Sequence, residues 1–170
     1  PVELIKAINK VSSGGKYVAA CAWKIPHRLT VASIISGNCA YDLPGAKATL
    51  SQQDSQLYFL ADKLPWLFRI MLGNIAGNAR KDPKSILSLF SAVSEPDQQA
   101  LAIPDVQQLF AEMVLGAFHQ GPHGVAWDWK LEARPWGFPI RETRFPVNVS
   151  HGEQDTIVPV EQGRIMAKAQ

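Results

Sequence analysis

Residues 147–160 read V-N-V-S-H-G-E-Q-D-T-I-V-P-V, and this stretch decides the fold. The alternating run Phe145-Pro146-Val147-Asn148-Val149 predicts a strand. It leads into His151-Gly152 and a turn that carries Asp155, and Val158-Pro159 opens an expected helix. A carboxylate on a turn just past a strand end sits where open α/β sheets place their working residues.

Working outward, the 170 residues suit one domain and are enough to bury a core. Apolar residues make up 46% and charged residues 19%, which excludes a disordered or fibrous chain. The net charge is +2 with Lys and Arg scattered, so no basic cluster points to nucleic acid. No apolar run is long enough to cross a bilayer, and the first residues lack a basic-then-apolar signal pattern. Cys21 and Cys39 have no metal-ligand spacing, and Cys21 sits among alanines as a small core residue. A reducing, cytoplasmic compartment is the expectation. Neither a metal nor a cofactor is expected.

Along the chain, Val2, Ile5 and Ile8 stand three apart and predict a short helix over residues 1–10. Ser12-Ser13-Gly14-Gly15 is a turn, and residues 16–24 predict a helix rich in small side chains, stopped by Pro26. Residues 29–36, L-T-V-A-S-I-I-S, predict a strand buried on both faces, as in a parallel sheet. From about 49 to 127 the periodicity is helical, with breaks at Asp82-Pro83, Glu95-Pro96-Asp97 and Ile103-Pro104-Asp105. Asp105 is a candidate N-cap or first-turn acid. The order strand, helical insertion, strand, helix implies an α/β layered fold.

The turn at residues 11–15 could carry chemistry. A nucleophilic serine needs a tight strand-to-helix turn, with small residues two before and two after it. For Ser12, Gly14 meets the second condition and Lys10 fails the first; for Ser13, Gly15 follows and Val11 precedes. By spacing alone the two serines stay open.

The longer run V-S-S-G-G-K-Y-V-A-A-C-A-W-K-I-P-H-R-L, residues 11–29, resembles the nucleophile elbow of the α/β-hydrolase superfamily and the helix after it. The Asp155 turn, H-G-x-x-D-x-x-V-P, resembles that family's acid-bearing turn, and Glu95-Pro96-Asp97, residues 120–128 and residues 134–138 resemble its capped members. The resemblance implies a parallel-sheet α/β-hydrolase fold over residues 1–170, incomplete, with a helical cap at about 49–127. It implies Ser12 as nucleophile, Ser13 N–H as one oxyanion donor and Asp155 as the acid of a triad whose chain order is Ser, Asp, His.

Two departures stand against that pattern. No strand is expected before Ser12, and no histidine follows Asp155 within the 170 residues. The family's earlier strands and second oxyanion donor are also missing, so the expectation is a fragment, inactive as it stands. The activity implied is hydrolysis of a small-molecule substrate, an apolar ester or amide; the rival is a catalytically dead remnant or binding module. Asp42 is a reserve acid. His151 reads as structural, and His27, His119 and His123 as solvated loop residues. Trp66, Trp127, Trp129 and Trp136 are candidates for lining an apolar substrate pocket, beside the plain reading of all four as core.

Overall fold

The computed structural model describes residues 5–90 and 93–169. Ile5–Val11 forms a strand, β1, which corrects the expected helix; residues 1–4 of that expectation lie outside the described residues. The apolar spacing of three fits a helix and not a strand, and pairing with β2 overrode it. β1 runs parallel to β2 (Leu29–Ile35), from Ile5 opposite Leu29 to Val11 opposite Ile35. The strand expected near residue 145 is shorter and later: β3 spans Asn148–Ser150, parallel to β2, with Ile34 opposite Val149 and Ile35 opposite Ser150. Pro146 cannot donate a ladder hydrogen bond, which fits a start beyond it. The sheet order is β1-β2-β3, and the fold is mixed α/β around this parallel sheet.

Between β1 and β2 the chain makes a 3₁₀ turn at Ser12–Gly14 and helix α1 (Gly15–Lys24). Val18, Ala19 and Ala22 are fully buried on α1, which packs against β1 and β2. Their small size lets the helix backbone lie close to the sheet. Ala32 and Ile34 are fully buried on β2, whereas Val31 and Ile35 are exposed. Only one face of β2 is therefore buried among the described residues, against the expectation of two.

Two compact units divide the chain: Pro1–Ser51 with Arg134–Gln170, which holds the sheet, and Gln52–Ala133. The first also holds α7 (Val160–Ala169), joined to the loop after β2 by a hydrogen bond from the Cys39 N–H to Gln162 Oε1 at 3.2 Å. The second consists of α2 (Gln52–Lys63), α3 (Pro65–Lys81), a 3₁₀ segment at Pro83–Phe90, α4 (Glu95–Leu101), α5 (Pro104–Ala117) and α6 (His123–Glu132). Prolines open α3 and α5, where the missing N–H costs nothing. Asp105 falls in the first turn of α5, where its charge meets the positive end of the helix dipole. Phe68, Leu72, Ala76 and Phe118 centre this unit's core, and the Trp129 ring stands 5.6 Å from that of Phe68. Among the described residues no helix is long and apolar enough to cross a membrane.

Within the sheet unit Ile34 lies tightly against two glycines. A Cβ on Gly15 would lie 2.9 Å from Ile34 Cγ2, and one on Gly37 would lie 2.2 Å from the same methyl. Gly15 has ordinary helical dihedrals, φ −56° and ψ −36°. Helix propensity alone therefore favours Ala there by about 1 kcal/mol, while overpacking costs about 1–3 kcal/mol. The clash should win, and Gly15→Ala is expected to destabilise the protein in urea unfolding. Ile34→Leu keeps the volume and removes the branching methyl, so in that background Gly15→Ala should become neutral or stabilising. An unchanged penalty would mean that the contact is not what excludes a side chain at position 15.

Candidate functional site

Ser12 leaves the C-terminal end of β1 with φ 55°, a left-handed conformation uncommon for a residue with a side chain. The chain reverses there from strand to helix, which projects the serine from the backbone. Its side chain is exposed, and among the described residues its hydroxyl has no hydrogen-bond partner. The strand thought to be absent before Ser12 is thus present as β1. Lys10, two residues before, is tolerated because of Gly14: a Cβ on Gly14 would lie 2.9 Å from Lys10 Cβ. The turn needs only one of the pair to lack a side chain. Ser13 follows in the same 3₁₀ turn, ahead of the positive N-terminal end of α1.

Ser36 leaves β2 in the same way, with φ 45°. Its N–H donates to Ser150 O at 2.8 Å, so the ladder continues one residue past β2. Gly37 then passes close to the Ser12 turn, where a Cβ would come within 3.4 Å of Ser12 O. The sequence reading missed Ser36 and Gly37. The signal was a Ser-Gly pair directly after a β-branched run.

Asp155 sits on the turn after β3. Its Oδ1 accepts the N–H groups of Ile157 at 3.0 Å and Val158 at 2.8 Å, and its own N–H donates to Gly152 O at 3.3 Å. These bonds fix the carboxylate and leave Oδ2 without a short partner. His151 Nε2 lies 3.6 Å from Oδ2 but only 2.7 Å from Val158 O, so its proton goes to the carbonyl. The other ring nitrogen faces α7 at Gly163, where a Cβ would lie 2.5 Å from Nδ1. The His151 side chain is 5% exposed. The ring packs against α7 with its Nε2–H donated to Val158 O, while Nδ1 is buried and has no hydrogen-bond partner among the described residues. Gly163 is a further residue the sequence reading did not single out.

Because the three strands are parallel and in register at Val11, Ile35 and Ser150, Ser12 and the Asp155 turn leave the sheet at the same, C-terminal, edge. β2 stands between them, so the two chain exits are two strand spacings apart, about 10 Å.

The remaining candidates are dispersed. Asp42, His27, His119 and His123 are exposed, and His123 Nδ1 is 3.3 Å from Arg69 Nη1. Trp66 on α3 and Trp127 on α6 are exposed in the helical unit, with Lys130 Nζ over the Trp127 ring. Trp136 belongs to the sheet unit and tilts against Phe138 at 6.0 Å. Cys39 is buried, Cys21 is partly so, and both are free thiols. Among the described residues no cluster of His, Cys, Asp and Glu could hold a metal ion.

No protein-family model matches the sequence, and no curated protein matches it. The structure is similar to the solved structure of Rv0554 from Mycobacterium tuberculosis, with a TM-score of 0.52 and 16% identity. The match covers 96% of this chain and 53% of that one, so the chain spans about half the length of that protein. At this identity the likeness speaks for a shared fold alone.

Proposed function

We propose that this chain carries the nucleophile and the acid of a serine hydrolase of the α/β-hydrolase type, acting on an ester or amide. The observation that carries the reading is Ser12: a left-handed serine on a tight turn between a parallel strand and a helix, at the sheet edge from which the Asp155 turn also leaves. A strained non-glycine residue costs about 1–3 kcal/mol and clusters at sites where strain serves function. In this reading Ser12 Oγ attacks an acyl carbonyl, the Ser13 N–H stabilises the oxyanion, and Asp155 Oδ2 orients an imidazole placed between the two.

That imidazole does not come from the described histidines. His151 is held by Val158 O and Gly163, and no histidine follows Asp155 in the 170 residues. Loss of the triad histidine alone costs roughly a millionfold in kcat in subtilisin. The 170-residue chain by itself is therefore expected to be inactive.

Three outcomes check this. First, hydrolysis of p-nitrophenyl acetate by the 170-residue chain should equal that of Ser12→Ala, and a fluorophosphonate probe should label Ser12 weakly or not at all. Strong labelling of Ser12 would mean that a base is in reach and that His151 has been misread. Second, Ser12→Gly should raise stability by about 1 kcal/mol in urea unfolding, since glycine adopts positive φ without strain. Ser12→Val should lower it, and a destabilising glycine would remove the elbow argument. Third, Asp155→Ala should cost about 1–3 kcal/mol through the loss of two backbone hydrogen bonds to a carboxylate, and Asp155→Asn less.

A further inference from the structure

The imidazole of His151 has two oxygens beside one nitrogen, and it serves the weaker acceptor. A carbonyl oxygen can only accept, so Nε2 carries the ring's proton and gives it to Val158 O at 2.7 Å. Asp155 Oδ2 stands 3.6 Å from the same nitrogen. A bond to the carboxylate would be charge-assisted and the stronger of the two. The two side chains are 5% and 15% exposed, so little solvent reaches either.

The bare backbone of α7 holds the ring on the carbonyl side. A Cβ on Gly163 would lie 2.5 Å from Nδ1, 3.0 Å from Cγ and 3.1 Å from Cβ of His151. The imidazole, down to its root, therefore occupies the place of the side chain that position 163 lacks. Nδ1 is buried there with no hydrogen-bond partner among the described residues. Fit, and not the hydrogen bonds open to it, sets where the ring lies. Gly163 falls inside α7, where glycine disfavours the helix.

We infer that His151 and Gly163 are positioning residues for Asp155, which keep Oδ2 free by seating the imidazole on α7. The inference rests on the reading of Asp155 as the acid of the site. Val158 is the link between ring and acid. Its N–H donates to Asp155 Oδ1 and its C=O accepts from His151 Nε2. Through that one residue the ring steadies a carboxylate it does not bond. A side chain at position 163 reverses the arrangement. It pushes the imidazole off α7 toward the two oxygens. Val158 O is already in contact, so the room that remains is the gap to Oδ2. His151 then bonds the carboxylate, and the oxygen that would orient a catalytic imidazole is taken by a structural one.

The test is carbon-13 NMR of the intact 170-residue chain at neutral pH, reading the Val158 carbonyl carbon and the Asp155 carboxyl carbon. Both signals respond to an accepted hydrogen bond and neither needs turnover, so the outcome is separate from that of Ser12 labelling. His151→Phe, which keeps an aromatic ring, should shift the Val158 signal and leave that of Asp155 in place. Gly163→Ala should shift both, as the carbonyl loses the proton and the carboxylate gains it. Added to His151→Ala, where no ring is displaced, Gly163→Ala should leave the Asp155 signal where His151→Ala alone puts it. A glycine with only a structural role would move that signal with or without the ring. An Asp155 signal that Gly163→Ala leaves unmoved, or moves equally in the two backgrounds, overturns the inference. So does an Asp155 signal that shifts as far as that of Val158 in His151→Phe, a result that decides the matter even where Gly163→Ala does not fold.

Discussion

The Ile34 side chain governs how the sheet edge is built. It is fully buried on the middle strand, and its Cγ2 methyl fills the space that side chains at Gly15 and Gly37 would need. One glycine opens α1 after the Ser12 turn and the other follows Ser36. A single methyl thus fixes how closely two chain reversals approach the same strand. Two adjacent strands both end in a serine with positive φ. Such conformations persist only where their surroundings over-determine them, and here the surroundings are a packed methyl, two bare backbones and the ladder bond from Ser36 to Ser150.

The Asp155 turn is held by a different kind of force. Two N–H groups converge on one carboxylate oxygen, a carbonyl receives the histidine proton, and the imidazole rests on a helix backbone bared by Gly163. These contacts lie within thirteen residues of chain. The turn is therefore held largely by contacts local in sequence.

Much of this was legible in the residues, for reasons that differ by element. The strand at β2 declared itself through a β-branched run ended by glycine, and α1 through its small side chains and Pro26. β1 was not legible. Ile5 and Ile8 are three apart, and Lys6, Asn9 and Lys10 interrupt any alternation. Its strand character comes from pairing with β2, a tertiary cause that local pattern does not carry. The exposed face of β2, at Val31 and Ile35, is likewise invisible in composition, because a strand covered on one side and a strand covered on both can use the same residues. Ser12 was legible only through resemblance, since glycine-serine turns are common. Its positive φ, the tolerance of Lys10 by Gly14 and the second reversal at Ser36 all depend on backbone approach, which spacing does not encode. His151 was read as a structural hydrogen-bonding residue, and its Nε2 does donate to Val158 O, but that partner and the closeness of Gly163 were not foreseeable.

The sheet unit is made from two separated pieces of chain, Pro1–Ser51 and Arg134–Gln170, with Gln52–Ala133 between them. This has a kinetic consequence. The β1–β2 pair spans a short crossover, whereas β3 joins only after the chain closes a loop of roughly a hundred residues, and pairings so distant in sequence slow folding. The helical unit has no such handicap, since its partners are near neighbours in sequence. On the ribosome it emerges before β3 does, so β2 waits with an unpaired edge while the helices form. Through that interval the backbone edge of β2 that β3 later covers is bare. That edge is an aggregation hazard of synthesis which the pairing with β3 then removes.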